Sequence, residues 1–181
     1  GAPLSPVIVW QDARTAESLA SLPPDAAARS RALCGLPLDP YFSASKLGWV
    51  LRNIPAARTA LAEGRLRLGT TDAFFLDRLC GVFATDAATA SRTGLLDLQT
   101  GQWSPELCAL HGVPPECPPA IRSVNGALRS LRGGALPPSL AHPLAAPACH
   151  GCPLPGHANI TFATRVFLLF LPCGNPPSPI E

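Results

Sequence analysis

Downstream of Lys46 the apolar side chains Leu47, Val50, Leu51 and Ile54 fall at the spacing of one helix face and predict a helix over 46–54. Asp39-Pro40 and Ser43-Ala44-Ser45 precede it with the turn and helix-start residues that punctuate such an element. Further helices are predicted over 15–22, over 24–33 with Pro24 at the start and Gly35 at the end, and over 55–63 closed by Gly64. Another begins at Thr71-Asp72 and is expected to turn Phe74, Phe75, Leu76 and Leu79 toward the core. Ser104 as cap and Pro105 at the first helical position open one more through Leu110, with His111 expected on the surface at its end. Val7-Ile8-Val9-Trp10 predicts a buried strand feeding the polar turn Gln11-Asp12-Ala13-Arg14-Thr15, with shorter strands over 66–68 and 93–98. The apolar run 166–171 is far too short to cross a bilayer and reads as a buried strand. Alternating helices and short strands give an α/β layer architecture. After Arg122, Gly133-Gly134, Pro137-Pro138 and Pro176-Pro177 interrupt any long element, and no helix is expected there.

Composition sharpens that division. Apolar residues at 47% suffice for a sizeable core, charged residues are few at 14%, and a net charge of +2 supplies no electrostatic footprint for nucleic acid. The 22 prolines and 15 glycines signal irregular sections, and the prolines crowd 137–179 while 56–104 has none. Gly1-Ala2-Pro3-Leu4 lacks a basic region followed by an apolar run, and the chain contains no methionine. The expectation is a fragment of a cytoplasmic protein that neither spans nor binds a membrane. Seven cysteines, an odd number at irregular spacing, are expected as reduced thiols rather than a disulfide framework.

The chemically richest stretch is Asp39-Pro40-Tyr41-Phe42-Ser43-Ala44-Ser45-Lys46-Leu47-Gly48-Trp49-Val50-Leu51-Arg52-Asn53. A loop that holds an aromatic ring at a helix entrance suits contact with a small ligand, and plain core packing does not require Tyr41, Ser43, Lys46 and Trp49 in that order. The order aromatic, Ser, Lys, apolar, Trp, apolar, then two polar residues resembles the N-terminal signature of the FGGY carbohydrate kinases. Within that family, Asp39-Pro40-Tyr41-Phe42-Ser43 resembles the glycerol kinase version. Val7-Ile8-Val9-Trp10-Gln11-Asp12-Ala13-Arg14-Thr15 and Thr85-Asp86-Ala87-Ala88-Thr89-Ala90-Ser91-Arg92-Thr93-Gly94-Leu95-Leu96 resemble that version too. The similarity runs almost without gaps from Val7 to Arg122.

The resemblance implies a partial ribonuclease-H-like (actin-like ATPase) domain with added helices and an irregular C-terminal tail. Residues 1–133 would be part of the family's N-terminal domain, and 134–181 a degenerate continuation toward the hinge and the first strands of a second domain. The implied reaction is ATP-dependent phosphorylation of glycerol to glycerol 3-phosphate, with Mg2+ accompanying ATP in the parent family. Trp10 would be an apolar wall against the glycerol carbons and Tyr41 a hydroxyl contact, since a polyol offers C–H faces to rings and hydroxyls to polar tips. Lys46 and Trp49 take a structural role linking helix to sheet, and Asp86 and Arg92 hold the turn before a strand.

The tail departs from the family pattern. Where the family has Asp-Gln-Gln-Ala-Ala, this chain has His142-Pro143-Leu144-Ala145-Ala146, so His142 stands at the position of the general base. A histidine titrates near neutrality but has a different reach, and Pro143 removes an amide donor and a glycerol-binding glutamine. The family's Gly-Thr-Gly becomes Ala163-Thr164-Arg165: Thr164 remains for the nucleotide, but side chains replace glycines where phosphates need close backbone approach. Phe167 keeps the second glycerol wall. The family's first phosphate-binding hairpin would precede Gly1, and most of its nucleotide domain would follow Glu181. The expectation is a chain inactive by itself that binds no ATP.

Other readings stay open. Cys149-His150-Gly151-Cys152, with His142, His157 and Cys173, has a zinc-ligand spacing but no second paired motif, and no metal is expected. The chain could serve as a non-catalytic polyol-binding or interaction protein, self-associating through exposed apolar surface. The tail could also derive from a shifted reading frame.

Overall fold

The computed structural model describes residues 2–122, 128–131, 134–136, 158–162 and 166–170, with side-chain surroundings described within 2–122. The chain divides into two compact units, Gly1–Ser139 and Leu140–Glu181. In the first, α1 (Ala16–Ala20), α2 (Ala26–Cys34), α3 (Ser43–Asn53), α4 (Pro55–Ala62) and α5 (Thr71–Cys80) precede β1 (Ala84–Asp86) and α6 (Ala87–Ser91). Then come β2 (Leu96–Asp97), β3 (Gln102–Trp103), α7 (Pro105–His111), β4 (Ala120–Arg122), β5 (Leu128–Leu131) and β6 (Gly134–Leu136). β1 and β4 pair in parallel, Ala84 opposite Ala120, and the connection between them runs through α6, the β2–β3 hairpin and α7, as parallel pairing requires. In the second unit β7 (Ala158–Phe162) pairs antiparallel with β8 (Val166–Phe170), Thr161 opposite Phe167.

The helix punctuation acts as its chemistry directs. Gly35 ends α2 at φ 71°, a left-handed conformation that costs glycine nothing. The Ser104 hydroxyl accepts the Leu107 amide at 3.3 Å, and Pro105 occupies the first turn, where its missing N–H is no loss. Asp86 caps α6 by accepting the Thr89 amide at 2.8 Å. The core gathers Ala44 and Leu51 of α3, Ala57 and Ala60 of α4, and Leu107 and Cys108 of α7 around Leu66, Leu68, Leu95, Val113 and Cys117. Cys34, Cys108 and Cys117 are free and buried, and burial raises the Cys108 thiol to about 11.

Five expectations fail. Residues 7–10 form no strand: among the described residues no neighbour offers them a ladder, and Val7 and Val9 face solvent. Residues 66–68 bury Leu66 and Leu68 but bond to the rest through Leu68 N–H to the Cys117 carbonyl at 3.0 Å, without a ladder. Residues 93–98 shrink to the two-residue β2, because the Thr93 N–H turns back to the Ala90 carbonyl at 3.0 Å and the Leu98 N–H donates to the Leu33 carbonyl at 3.0 Å, outside the hairpin. On α5 it is Ala73 and Leu76 that are buried, while Phe74, Phe75 and Leu79 are exposed, so its apolar run covers more of the helix than the core accepts. His111 departs in the opposite direction. It is 7% exposed rather than on the surface.

Candidate functional site

The site grows from the entrance of α3. The Asp39 carboxylate accepts the Tyr41 amide at 2.7 Å, a local turn that sets Tyr41 and Phe42 before the first helical residue, Ser43. This helix has no side-chain cap, and the Ala44 amide instead donates to the Thr93 carbonyl at 2.8 Å, supplying one first-turn amide with a partner. That contact is why the helix begins at Ser43, ahead of its apolar periodicity. The Tyr41 ring meets Trp10 at 5.6 Å between centroids and 52°, and Phe42 edge-on at 5.1 Å. The Arg92 guanidinium lies 5.2 Å over Phe42. Trp10 is 39% exposed and Tyr41 half-buried, so the rings make an aromatic surface that solvent still reaches.

The ring of Trp10 sits on a segment without helix or strand, and α3 holds that segment along one face. Lys46 Nζ donates to the Val9 carbonyl at 2.8 Å and to the Trp10 carbonyl at 3.4 Å. The hydroxyls of Ser45 and Thr15 meet at 2.8 Å, both buried. Arg14 lies over the Trp49 ring at 4.5 Å. Asp12 in turn grips Arg14, Nε reaching both carboxylate oxygens at 2.9 Å and Nη2 one of them at 2.6 Å. The Arg14 side chain first, then its backbone amide, hold the Asp12 carboxyl down at about 2 against a smaller opposing pull from desolvation. Burial pushes Lys46 below the usual lysine range, with Asp12 and Asp39 pulling the other way. Asp12, Asp39, Arg14, Lys46 and Arg92 thus surround the rings with charges of both signs. Ring faces among polar groups suit a small polyol.

Of the residues singled out from sequence, Trp10 and Tyr41 come together, with Lys46 and Trp49 behind them. Phe167 lies in β8 of the second unit. His142, Thr164 and the Cys149 to Cys152 cluster fall outside the described residues. The described residues hold no group of three or more His, Cys, Asp or Glu able to bind a metal, and no helix among them is long and apolar enough to cross a membrane. Arg14 and Ser45 were not singled out as site residues. The available signal was the spacing Asp12-x-Arg14, which permits an intrasegment ion pair and leaves the guanidinium a flat face to stack.

The architecture is that of part of a ribonuclease-H-like, actin-like ATPase domain. It superposes on a Plasmodium falciparum glycerol kinase with ADP at a TM-score of 0.82, covering 92% of this chain and 35% of that one at 24% identity. A xyloylose kinase from Brucella ovis superposes at a TM-score of 0.75, with 97% of this chain, 37% of that one and 29% identity. In sequence, residues 1–133 match the profile of the FGGY family of carbohydrate kinases, N-terminal domain, and the chain belongs to that family. It is similar to a probable glycerol kinase of Caenorhabditis elegans, 40% identical over 182 residues, covering 93% of this chain and 36% of that protein. A glycerol kinase of Nocardia farcinica is 39% identical over 175 residues, 93% of this chain and 35% of that protein. The chain spans about a third of the length of these curated relatives.

Proposed function

We propose that this chain carries one wall of a glycerol site and belongs by descent to an ATP-dependent glycerol phosphotransferase, while being inactive alone. The observation that carries the reading is the Trp10–Tyr41 ring pair, partly open to solvent. Trp10 supplies the apolar face for the glycerol carbons and Tyr41 the polar tip. In the same reading residues 1–133 are the substrate-side portion and 134–181 a degenerate continuation toward the second domain.

The inactivity rests on residue chemistry. His142 at the base position is followed by Pro143, and Ala163 and Arg165 flank Thr164 where a phosphate requires bare backbone. ATP and Mg2+ belong to the parent family, and no described residue of this chain is assigned to them. The protein is read as cytoplasmic. A second reading, a non-catalytic polyol-binding or interaction protein able to self-associate, draws on the exposed Phe74, Phe75 and Leu79 of α5.

Incubating the purified chain with glycerol, ATP and Mg2+ and assaying glycerol 3-phosphate is expected to show no product above the protein-free control. Sustained turnover that disappears in His142→Ala would overturn the inactivity and return His142 to the role of base.

A further inference from the structure

We infer that Lys46 is a positioning residue: its ammonium group, bonded to the carbonyls of Val9 and Trp10, fixes the Trp10 ring in the wall that faces the polyol. The identity of the ligand rests on the glycerol reading above; the clasp itself does not.

Residues 2–15 contain no helix or strand, so no ladder fixes the backbone beneath the ring. Local bonds shape the segment: Asp12 N–H to the Val9 carbonyl at 3.1 Å and Arg14 N–H to Asp12 Oδ1 at 2.9 Å. These give it a turn without tying it to its neighbours. The ties come from α3, at Ser45 to Thr15, Lys46 to Val9 and Trp10, and Trp49 to Arg14. Of these, Lys46 acts on the backbone of Trp10 itself.

Lys46 is also placed where a lysine is costly. It is 5% exposed, so its flexible stem has lost rotamer freedom and its head has left water. An aliphatic residue would fill the same space at lower cost. What an aliphatic residue lacks is a donor at the end of a long stem, and a compact ammonium can serve two carbonyls at once. Asp12 and Asp39 lie near enough to favour the cation there, while Arg14 opposes it. The lysine therefore converts the rigidity of an 11-residue helix into a fixed position for a ring on a segment without helix or strand.

The test uses the whole chain labelled with 5-fluorotryptophan, whose three tryptophans give three fluorine resonances assigned by single Trp→Phe variants. In Lys46→Met the Trp10 signal is expected to move toward the position and narrow width of a solvent-exposed ring. Trp103, whose indole N–H donates to the Pro119 carbonyl at 2.7 Å, should stay in place and report an intact core. The glycerol concentration that half-shifts the Trp10 signal should rise about tenfold, since an unfixed ring must be ordered on binding. Lys46→Arg, which keeps donors and charge, should restore much of the wild-type signal. A Trp10 resonance unchanged in Lys46→Met overturns the inference. If Lys46→Met loses the Trp103 signal, Lys46→Gln, whose amide falls short of the Val9 carbonyl, is read by the same two outcomes. Failure of glycerol to shift Trp10 in the unmodified chain overturns the ligand assignment and leaves the clasp standing or falling on the Lys46 variants.

Discussion

Gly48→Ala is expected to lower the stability of the first unit by about 3 kcal/mol, the upper end of the cost of overpacking a tight contact. Gly48 lies inside α3 where that helix crosses the end of α7. A methyl group there would overlap the His111 carbonyl oxygen and stand 3.2 Å from its carbon and 3.1 Å from Arg52 Nη1. The obstruction is backbone, so it yields only if the two helices move apart and open the core around Leu51 and Leu107. Alanine otherwise favours a helix interior over glycine by roughly 1 kcal/mol, so the predicted loss is what remains after that gain. Gly64→Ala is the matched control. It has φ 65° but nothing within 4 Å of the added carbon, so it carries only the left-handed backbone cost of about 1 to 2 kcal/mol. Urea unfolding followed by tryptophan fluorescence should rank Gly48→Ala clearly below Gly64→Ala. Equal midpoints would mean that α3 and α7 are not packed this closely.

The second large effect belongs to the residue on the other side of that crossing. His111 lines a small cavity with Ser30, Asp39, Phe42 and Ser45, and burial, with a smaller contribution from the Arg52 charge, lowers its pKa to about 4. A buried neutral imidazole has a lower affinity for protons than an unfolded one. Its contribution to stability is therefore complete above pH 6.5, the unfolded value, and is lost as pH falls from there through 4. The full loss is about 3 kcal/mol. Asp12, held at about 2, titrates below that window. Urea midpoints of the unmodified chain should fall steeply between pH 6.5 and 4, and His111→Gln should flatten the slope across that interval while other carboxylates act on both proteins alike. Parallel slopes would contradict the burial of His111.

The helical part of the fold was legible because its signals are local. Leu47, Val50, Leu51 and Ile54 carry a period, Ser104-Pro105 a cap, and Gly35 a stop, and each acts within one or two turns. The strands were less legible, because a β-branched run such as Val7-Ile8-Val9 specifies a strand only when a neighbour completes its ladder. Phe75 and Leu79 show the same limit on a helix. Their apolarity was plain, but which flank of α5 faces the core depends on the elements packed against it. His111 was misplaced because a polar residue at a helix end is exposed by default, and only the α3–α7 crossing buries it. At the site, the segments around Tyr41 and Trp10 each pointed to the family by resemblance. They did not reveal the grip of Lys46 and Ser45 on residues 9–15, since contacts across about 30 positions leave no periodic trace in the sequence.

The central proposal is that Trp10 and Tyr41 present a polyol-binding wall. Saturation-transfer NMR on the carbon-bound protons of glycerol tests it, because transfer requires those protons to rest against protein. The unmodified chain is expected to transfer saturation to glycerol with a dissociation constant on the order of millimolar. Trp10→Ala should abolish the transfer while unfolding at the same temperature, its ring being 39% exposed and outside the core. No transfer from the unmodified chain, or undiminished transfer from Trp10→Ala, would contradict the claim.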